Sequence, residues 1–200
     1  VLPPVQLSSE VLESMRETVK AFARALGVVG LMNTQFAIYE DKAYTIEVTP
    51  RASRTVPFVS KAIGVPLAKH AALLMSGSTL PELGFTEEIV PTMYSVKKVV
   101  LPFRKLGGSD PLLGPEMKST GEGMGLAETF GQAFAKATMG GGERVPASGT
   151  VFFSVNDRDK DQAVAIARNL SDLKFHLIGT RGTAEACLLY TSPSPRDLST

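Results

Sequence analysis

The sequence has no tryptophan, one cysteine and two histidines among its 200 residues. A single cysteine, Cys187, excludes an internal disulfide. The histidines, His70 and His176, lie far apart and have no companions at the spacing of metal ligands. No apolar run approaches the ~20 residues that a membrane span needs. Lysine and arginine total 21 against 20 for aspartate and glutamate, so no charge excess would attract nucleic acid or an anionic lipid surface.

What is present indicates a globular chain. Apolar residues make up 44% of the sequence, which is enough for a packed core. The N-terminal Val1-Leu2-Pro3-Pro4 has neither the basic start nor the apolar stretch of a signal peptide. The first residue is not methionine, and we expect the chain to begin inside a longer one. These features predict a soluble, cytoplasmic α/β protein that binds neither nucleic acid nor membrane.

Hydrophobic periodicity predicts a first unit of mixed helices and strands. Apolar residues spaced by three and four indicate amphipathic helices, and alternating residues indicate strands. Residues 104–125 are rich in glycine and proline and have no clear period. The predicted elements are helix 9–26, strands 28–40 and 43–49, helices 56–63 and 67–75, strand 94–103 and helix 128–139.

A second unit is predicted after the linker Gly140-Gly141-Gly142. Strand 150–155, helix 159–170 and strand 175–178 form a βαβ unit, which usually builds a parallel sheet. The residues that follow are too few to complete such a fold, so we expect the chain to stop inside this domain. Residues 187–200 include a string that resembles a translated sequencing adapter, and we predict a non-native tail there.

The hairpin carries the strongest candidate site. With the turn at Glu40-Asp41-Lys42, equal counts along the two strands put Gln35 directly across from Glu47. An amide oxygen and a carboxylate suit hard cations such as Mg²⁺ or Mn²⁺. The alternative is an ordinary solvated sheet face. The predicted apolar face carries Phe36, Ile38, Tyr44, Ile46 and Val48, and the polar face carries Asn33, Gln35, Thr45, Glu47 and Thr49.

Two further segments could bind anions. Arg51 and Arg54 follow the second hairpin strand, and their guanidinium groups suit phosphate. Thr180-Arg181-Gly182-Thr183 follows a strand and opens a helix, where free backbone amides favour an anion, and Lys160 could add a cation. This second signal is common among strand-to-helix turns. Gly121 to Gly125 does not match a phosphate-binding loop, because no Gly-Lys-Ser/Thr follows it.

Several long strings resemble one family, the large subunit of carbamoyl phosphate synthetase. Their length and order make them more specific than any short motif. The resemblance covers nearly everything before Cys187. The matching stretches are Gly30 to Ala37, Ile46 to Ala62, Asp110 to Glu122, Ser154, Asp159-Lys160 and Thr180 to Thr183.

This resemblance implies a fold and an activity. The family has two ATP-grasp halves followed by a regulatory domain of methylglyoxal-synthase-like fold. Residues 1–142 are then the α+β C-terminal portion of the second half, with an antiparallel sheet, and residues 143–186 begin the parallel α/β regulatory domain. The implied reaction is ATP-dependent phosphorylation of carbamate to carbamoyl phosphate, for arginine and pyrimidine synthesis. The implied partners are a glutamine amidotransferase small subunit, a nucleotide effector and further copies of the enzyme.

The resemblance also implies residue roles. Gln35 and Glu47 match ligands of ATP and of Mg²⁺ or Mn²⁺, and Thr49 occupies the position of a third metal ligand that is normally asparagine. A hydroxyl reaches less far than an amide oxygen, so weaker metal binding is predicted. Arg51 and Arg54 match arginines of the active site. The effector pocket corresponds to Ser154, Lys160, Thr180 and Thr183.

Two other interpretations stay open at this point. The chain could act only as a regulatory or interaction module without catalysis. It could also belong to another ATP-grasp ligase such as a biotin carboxylase, although Asp159-Lys160 and the 180–183 segment argue against that, since those enzymes have no such regulator.

Overall fold

The structure, a computed structural model, describes residues 1–103, 110 and 112–190. The chain divides into two compact units, Val1–Arg144 and Val145–Thr200. The sequence predicts a division after residue 142. Which domain families the two units represent stays a prediction.

The helices of the first unit follow local sequence signals. The first begins after Ser8, whose side chain accepts a hydrogen bond from the backbone N–H of Val11, and Glu10 suits its positive end. The second ends at Gly64, which has a left-handed φ of 71°. The bounds are α1 Ser9–Ala25, α2 Val56–Ile63, α3 Leu67–Met75 and α4 Phe130–Gly140.

The hairpin consists of β1, Asn33–Tyr39, and β2, Lys42–Thr49. Its turn has two residues, Glu40 and Asp41, with φ values of 47° and 56°. Positive φ at both positions is typical of the type I′ turn, whose twist matches that of the strands. The predicted three-residue turn is therefore wrong, and the strands near the turn pair one residue out of the predicted register.

A bulge then restores the predicted register. The pairing shifts between Gln35, which lies opposite Glu47, and Phe36, which lies opposite Thr45. Ile46 is the extra residue of β2, so the strands beyond it pair as predicted. Because the pairing near the turn differs, Tyr44 lies opposite Ala37. Tyr44 therefore shares the face of Gln35, and Thr45 shares the face of Phe36, which reverses the prediction for both.

A second antiparallel pair joins β3, Tyr94–Val100, to β4, Gly121–Ala127. The sequence predicts β3 but not β4, which lies at the end of the glycine-rich stretch. Helix α4 packs against this pair, and the backbone of Leu2 hydrogen-bonds to that of Ser95 at its side. The buried core here consists of Val96, Ala127, Ala133 and Ala137.

The second unit has the predicted βαβ order. The strands β5 and β6 pair in parallel, and a short 3₁₀ turn, Asp157–Asp159, precedes α5. Helix α6 continues through Cys187 to Tyr190. The rest of the predicted tail, residues 191–200, lies outside the described residues. The bounds are β5 Thr150–Phe153, α5 Lys160–Asp172, β6 His176–Gly179 and α6 Arg181–Tyr190.

The fold class is mixed α/β, with antiparallel pairs in the first unit and a parallel pair in the second. Within the described ranges, no single helix is long and apolar enough to cross a membrane. Helices α2 and α3 together have the length and composition for it, but the chain bends by 110° between them.

Candidate functional site

Three polar residues share one face of the hairpin. Gln35 lies directly across from Glu47, as predicted, and both are exposed. Thr49 is half-buried, and its Oγ1 donates a hydrogen bond of 2.8 Å to Oε1 of Glu47. We call Gln35, Glu47 and Thr49 the hairpin triad. Its oxygen atoms are the hard donors that Mg²⁺ and Mn²⁺ prefer.

The opposite face of the hairpin is mainly apolar and carries Phe36 and Val48, with Thr45 paired opposite Phe36. It borders an open groove of about 660 Å³ whose lining includes Phe36 together with Leu12, Met15 and Val19 of α1. A one-residue slip in register would exchange the two faces. Phe36 is half-buried and lines this groove, so the pairing that keeps Phe36 there also keeps the hairpin triad on the other face.

Arg51 and Arg54 lie just beyond β2 and are exposed. Nη1 of Arg51 donates to the carbonyl oxygen of Ala52 at 2.9 Å, and Nη1 of Arg54 donates to Sδ of Met117 at 3.3 Å. Both acceptors are uncharged, and a thioether sulfur is a weak acceptor. An incoming phosphate would therefore compete with neutral acceptors, and not with a carboxylate, for these two guanidinium groups.

Two residues without a predicted role support the site. Asn33, opposite Thr49, accepts a hydrogen bond of 3.3 Å from Oγ of Ser53, which in turn accepts one from the backbone N–H of Thr55. This bond ties β1 to the segment that carries Arg54. Asn33 lies on the predicted polar face, two residues before Gln35. Its place on that face is the feature of the sequence that could have identified it as part of the site.

The donor set of the hairpin triad fits a hard divalent cation that also binds phosphate oxygens. It offers one carboxylate and one amide oxygen, with a hydroxyl hydrogen-bonded to the carboxylate, which leaves most coordination positions to other oxygens. In the part of the chain that the structure describes, no three His, Cys, Asp or Glu side chains cluster as a separate metal site. The hairpin triad suits a metal–nucleotide complex better than a bare ion.

In the second unit, two threonines organise the start of α6. Thr183 is 2% exposed, and its Oγ1 accepts a hydrogen bond from Thr180 Oγ1 at 3.1 Å and from the backbone N–H of Val155 at 3.4 Å. The backbone amides of Thr183 and Ala184 bond to the carbonyl of Thr180. Ser154 follows β5 directly and is exposed.

Lys160 reaches the same helix start. A Cβ on Gly182 would lie 3.3 Å from Nζ of Lys160, which places the ammonium beside the first turn of α6. Nζ forms an ion pair of 2.6 Å with Oδ1 of Asp157. The hydrogen bond from Lys160, together with its charge, lowers the pKa of the Asp157 carboxyl. The structure thus brings Lys160, Thr180 and Thr183 to one helix end, with Asp157 competing for the cation.

Comparisons with known proteins bear on both sites. Residues 1–83 match the family described as "Carbamoyl-phosphate synthase L chain, ATP binding domain". Proteins named carbamoyl phosphate synthase large chain are 59% identical over 184 residues in Pseudomonas putida, 54% over 192 in a Nostoc species and 55% over 183 in Vibrio parahaemolyticus. These matches cover 92%, 94% and 92% of this chain. The chain spans 17% of the length of each of these curated relatives.

Proposed function

Because the chain belongs to the family of carbamoyl phosphate synthase large chains, we propose that it forms part of an ATP-dependent ligase that phosphorylates carbamate to carbamoyl phosphate. The product would serve arginine and pyrimidine synthesis. The observation that carries this proposal is the hairpin triad on one face, followed along the chain by two arginines whose guanidinium groups donate to uncharged acceptors.

Each residue has a proposed task in phosphoryl transfer. Gln35 and Glu47 would hold Mg²⁺ or Mn²⁺ together with ATP. When bound, the cation would neutralise negative charge on the phosphate oxygens. Arg51 and Arg54 would bind and orient the phosphate oxygens and the anionic acceptor. Such reactions depend mainly on positioning and on electrostatic stabilisation. Phe36 lines the groove beside α1 and lies on the face of the hairpin opposite this chemistry.

The two units have separate proposed roles. The first would be the C-terminal portion of the second ATP-grasp half. The second would begin a methylglyoxal-synthase-like regulatory domain that binds the phosphate of a nucleotide effector through Ser154, Lys160, Thr180 and Thr183. The proposed partners are a glutamine amidotransferase small subunit, which supplies ammonia, and further copies of the enzyme. We propose a cytoplasmic location.

A chimera tests the proposed function. Residues 1–186 would replace the matching segment of the Pseudomonas putida large chain, and the chimera would be expressed with the small subunit in cells that lack their own large chain. We expect growth without added arginine and uracil, and carbamoyl phosphate synthesis by the purified complex. A chimera that folds and binds the small subunit but makes no carbamoyl phosphate would favour a regulatory module without catalysis.

Replacing Asp157 with asparagine is expected to strengthen binding of a nucleoside monophosphate to the chimera. The change frees the Lys160 ammonium from its 2.6 Å ion pair, and an exposed pair of this kind is worth roughly a twofold to fivefold change in affinity. Isothermal titration calorimetry would measure the dissociation constant. Asp161→Asn, which removes the same charge from the first turn of α5, is the matched control and should change little.

The pH dependence gives a second check on this pair. Because the pKa of Asp157 is lowered in the folded protein, the ion pair persists at neutral pH and breaks only as the pH falls below the range of an ordinary aspartate. The gain from Asp157→Asn should therefore shrink in acidic solution. An equal gain from both variants would show that general charge, and not the Lys160 pair, controls the binding of the effector.

A further inference from the structure

Thr49 stands at the position where the resemblance implies a third metal ligand, but its hydroxyl is engaged by its neighbour. Oγ1 donates to Glu47 Oε1 at 2.8 Å. We propose that Thr49 is a positioning residue, which orients the Glu47 carboxylate toward the cation and does not ligate the cation itself. This inference rests on the proposed function, because it concerns the metal site of that reaction.

The hydroxyl of Thr49 could act through its hydrogen or through its lone pairs, and the structure shows what the hydrogen does. A threonine hydroxyl has one donor hydrogen, and in this bond the hydrogen lies between Oγ1 and Oε1. The bond therefore fixes the orientation of Oε1. Ligation would also require a lone pair of Oγ1 to reach the cation, and a hydroxyl on Cβ extends less far from the strand than a carboxylate or an amide oxygen. The hydrogen bond involves only Oε1 of Glu47, so Oε2 is the carboxylate oxygen that it leaves available to a cation.

The strand geometry makes the contact a useful constraint. Glu47 and Thr49 are two residues apart on β2, so both side chains stand on the same face. Glu47 is exposed and has three rotatable side-chain bonds, whereas Thr49 is half-buried and β-branched, which restricts its χ1. The stiff side chain thus holds the flexible one. A hydrogen bond to an ionised carboxylate is also stronger than one between neutral groups.

Manganese binding measures this role without reference to activity. Mn²⁺ would be titrated into the full-length chimera with a non-hydrolysable ATP analogue and followed by electron paramagnetic resonance. The variant Glu47→Ala removes Mn²⁺ binding at this site, and the Mn²⁺ that remains bound belongs to the other ATP-grasp half. We expect Thr49→Val to weaken Mn²⁺ binding at this site about fivefold, since one charge-assisted hydrogen bond is lost. Thr49→Ser should restore binding to within about twofold, because it keeps the donor.

A double-mutant cycle distinguishes positioning from ligation. Aspartate is one methylene shorter than glutamate, so Glu47→Asp withdraws the carboxylate from the Thr49 hydroxyl. If Thr49 acts through Glu47, adding Thr49→Val to Glu47→Asp should cost nothing further. If Thr49 ligates the cation directly, the second substitution should keep its full fivefold cost, and the proposal would be overturned. Thr45→Val, on the opposite face of β2, controls for the loss of a threonine hydroxyl.

The variant Thr49→Asn gives an independent test in the same Mn²⁺ titration. Thr49→Asn places an oxygen one atom further along the side chain, so we expect it to become a ligand and to tighten Mn²⁺ binding. Unchanged binding would mean either that Thr49 already fills the third coordination position or that residue 49 does not reach the cation site, and both contradict the proposal. Failure of the proposed function itself looks different: Glu47→Ala would then leave the Mn²⁺ stoichiometry of the chimera unaltered.

Discussion

Replacing Gly125 with alanine is expected to destabilise the first unit by ~3 kcal/mol or more, above the usual cost of overpacking a core. A Cβ at this position would lie 2.5 Å from the backbone nitrogen of Ala137 and closer still to the carbonyl oxygen of Ala133. Both atoms belong to the backbone of α4, which cannot swing aside as the end of a side chain can. The helix must move away from β4, and the buried contacts of Ala133 and Ala137 are lost with it.

Urea unfolding of the chain, followed by circular dichroism, measures this effect. Gly121→Ala is the matched control, because it lies in the same strand and a Cβ there would meet nothing within 4 Å. It should unfold at nearly the same urea concentration as the unmodified chain. Similar losses for both variants would mean that the change in strand backbone flexibility, and not the approach of α4, explains the requirement for glycine.

The same close approach explains why β4 is absent from the sequence prediction. Glycine normally weakens a strand and suggests a loop, so Gly121 to Gly125 has no strand signal. Glycine is required at two of these positions because Cβ atoms at Gly123 and Gly125 would overlap the backbone of α4. The local sequence of β4 gives no indication that α4 will pack across its glycines. Helices α2 and α3, in contrast, follow from apolar spacing and a C-terminal glycine, and their predicted bounds are confirmed.

The hairpin shows how a correct pairing can follow from a wrong turn. The two-residue turn at Glu40 and Asp41 moves the register by one residue, and the bulge at Ile46 moves it back. Gln35 and Glu47 therefore meet as the alternation predicts, although Tyr44 and Thr45 change faces. A bulge is visible only when both strands are in place, because it depends on how they pair and twist.

The candidate site could likewise be predicted only in part from the sequence. Alternation along β2 puts Glu47 and Thr49 on one face, which is a local property of a strand. The hydrogen bond between them depends on the side-chain torsions of Glu47, and that from Arg54 to Met117 joins residues 63 positions apart. Such contacts are set by tertiary packing. They decide the proposed role of Thr49, which residue type and spacing alone do not.

Replacing Glu47 with glutamine is expected to lower carbamoyl phosphate synthesis by the chimera by ~100-fold or more, the scale of losing one charged group that stabilises the transition state. Glutamine keeps the size of the side chain and can still accept the Thr49 hydrogen bond, so the hairpin should keep its shape. What it loses is the negative charge that would hold a divalent cation against the phosphates of ATP. Steady-state synthesis at saturating ATP and Mg²⁺ measures the loss in kcat.

Glu40→Asn is the matched control for this prediction, because it removes one negative charge from the same hairpin. Glu40 has a positive φ of 47° in the turn, and asparagine tolerates that conformation well. The control should keep nearly full activity, whereas Glu47→Gln should lose both activity and one Mn²⁺ site. If Glu47→Gln retained activity with its Mn²⁺ site intact, the carboxylate would have no part in the reaction. The face that carries Gln35 and Glu47 would then be an ordinary solvated sheet surface, and the proposed metal–nucleotide site would have to lie elsewhere in the full-length chain.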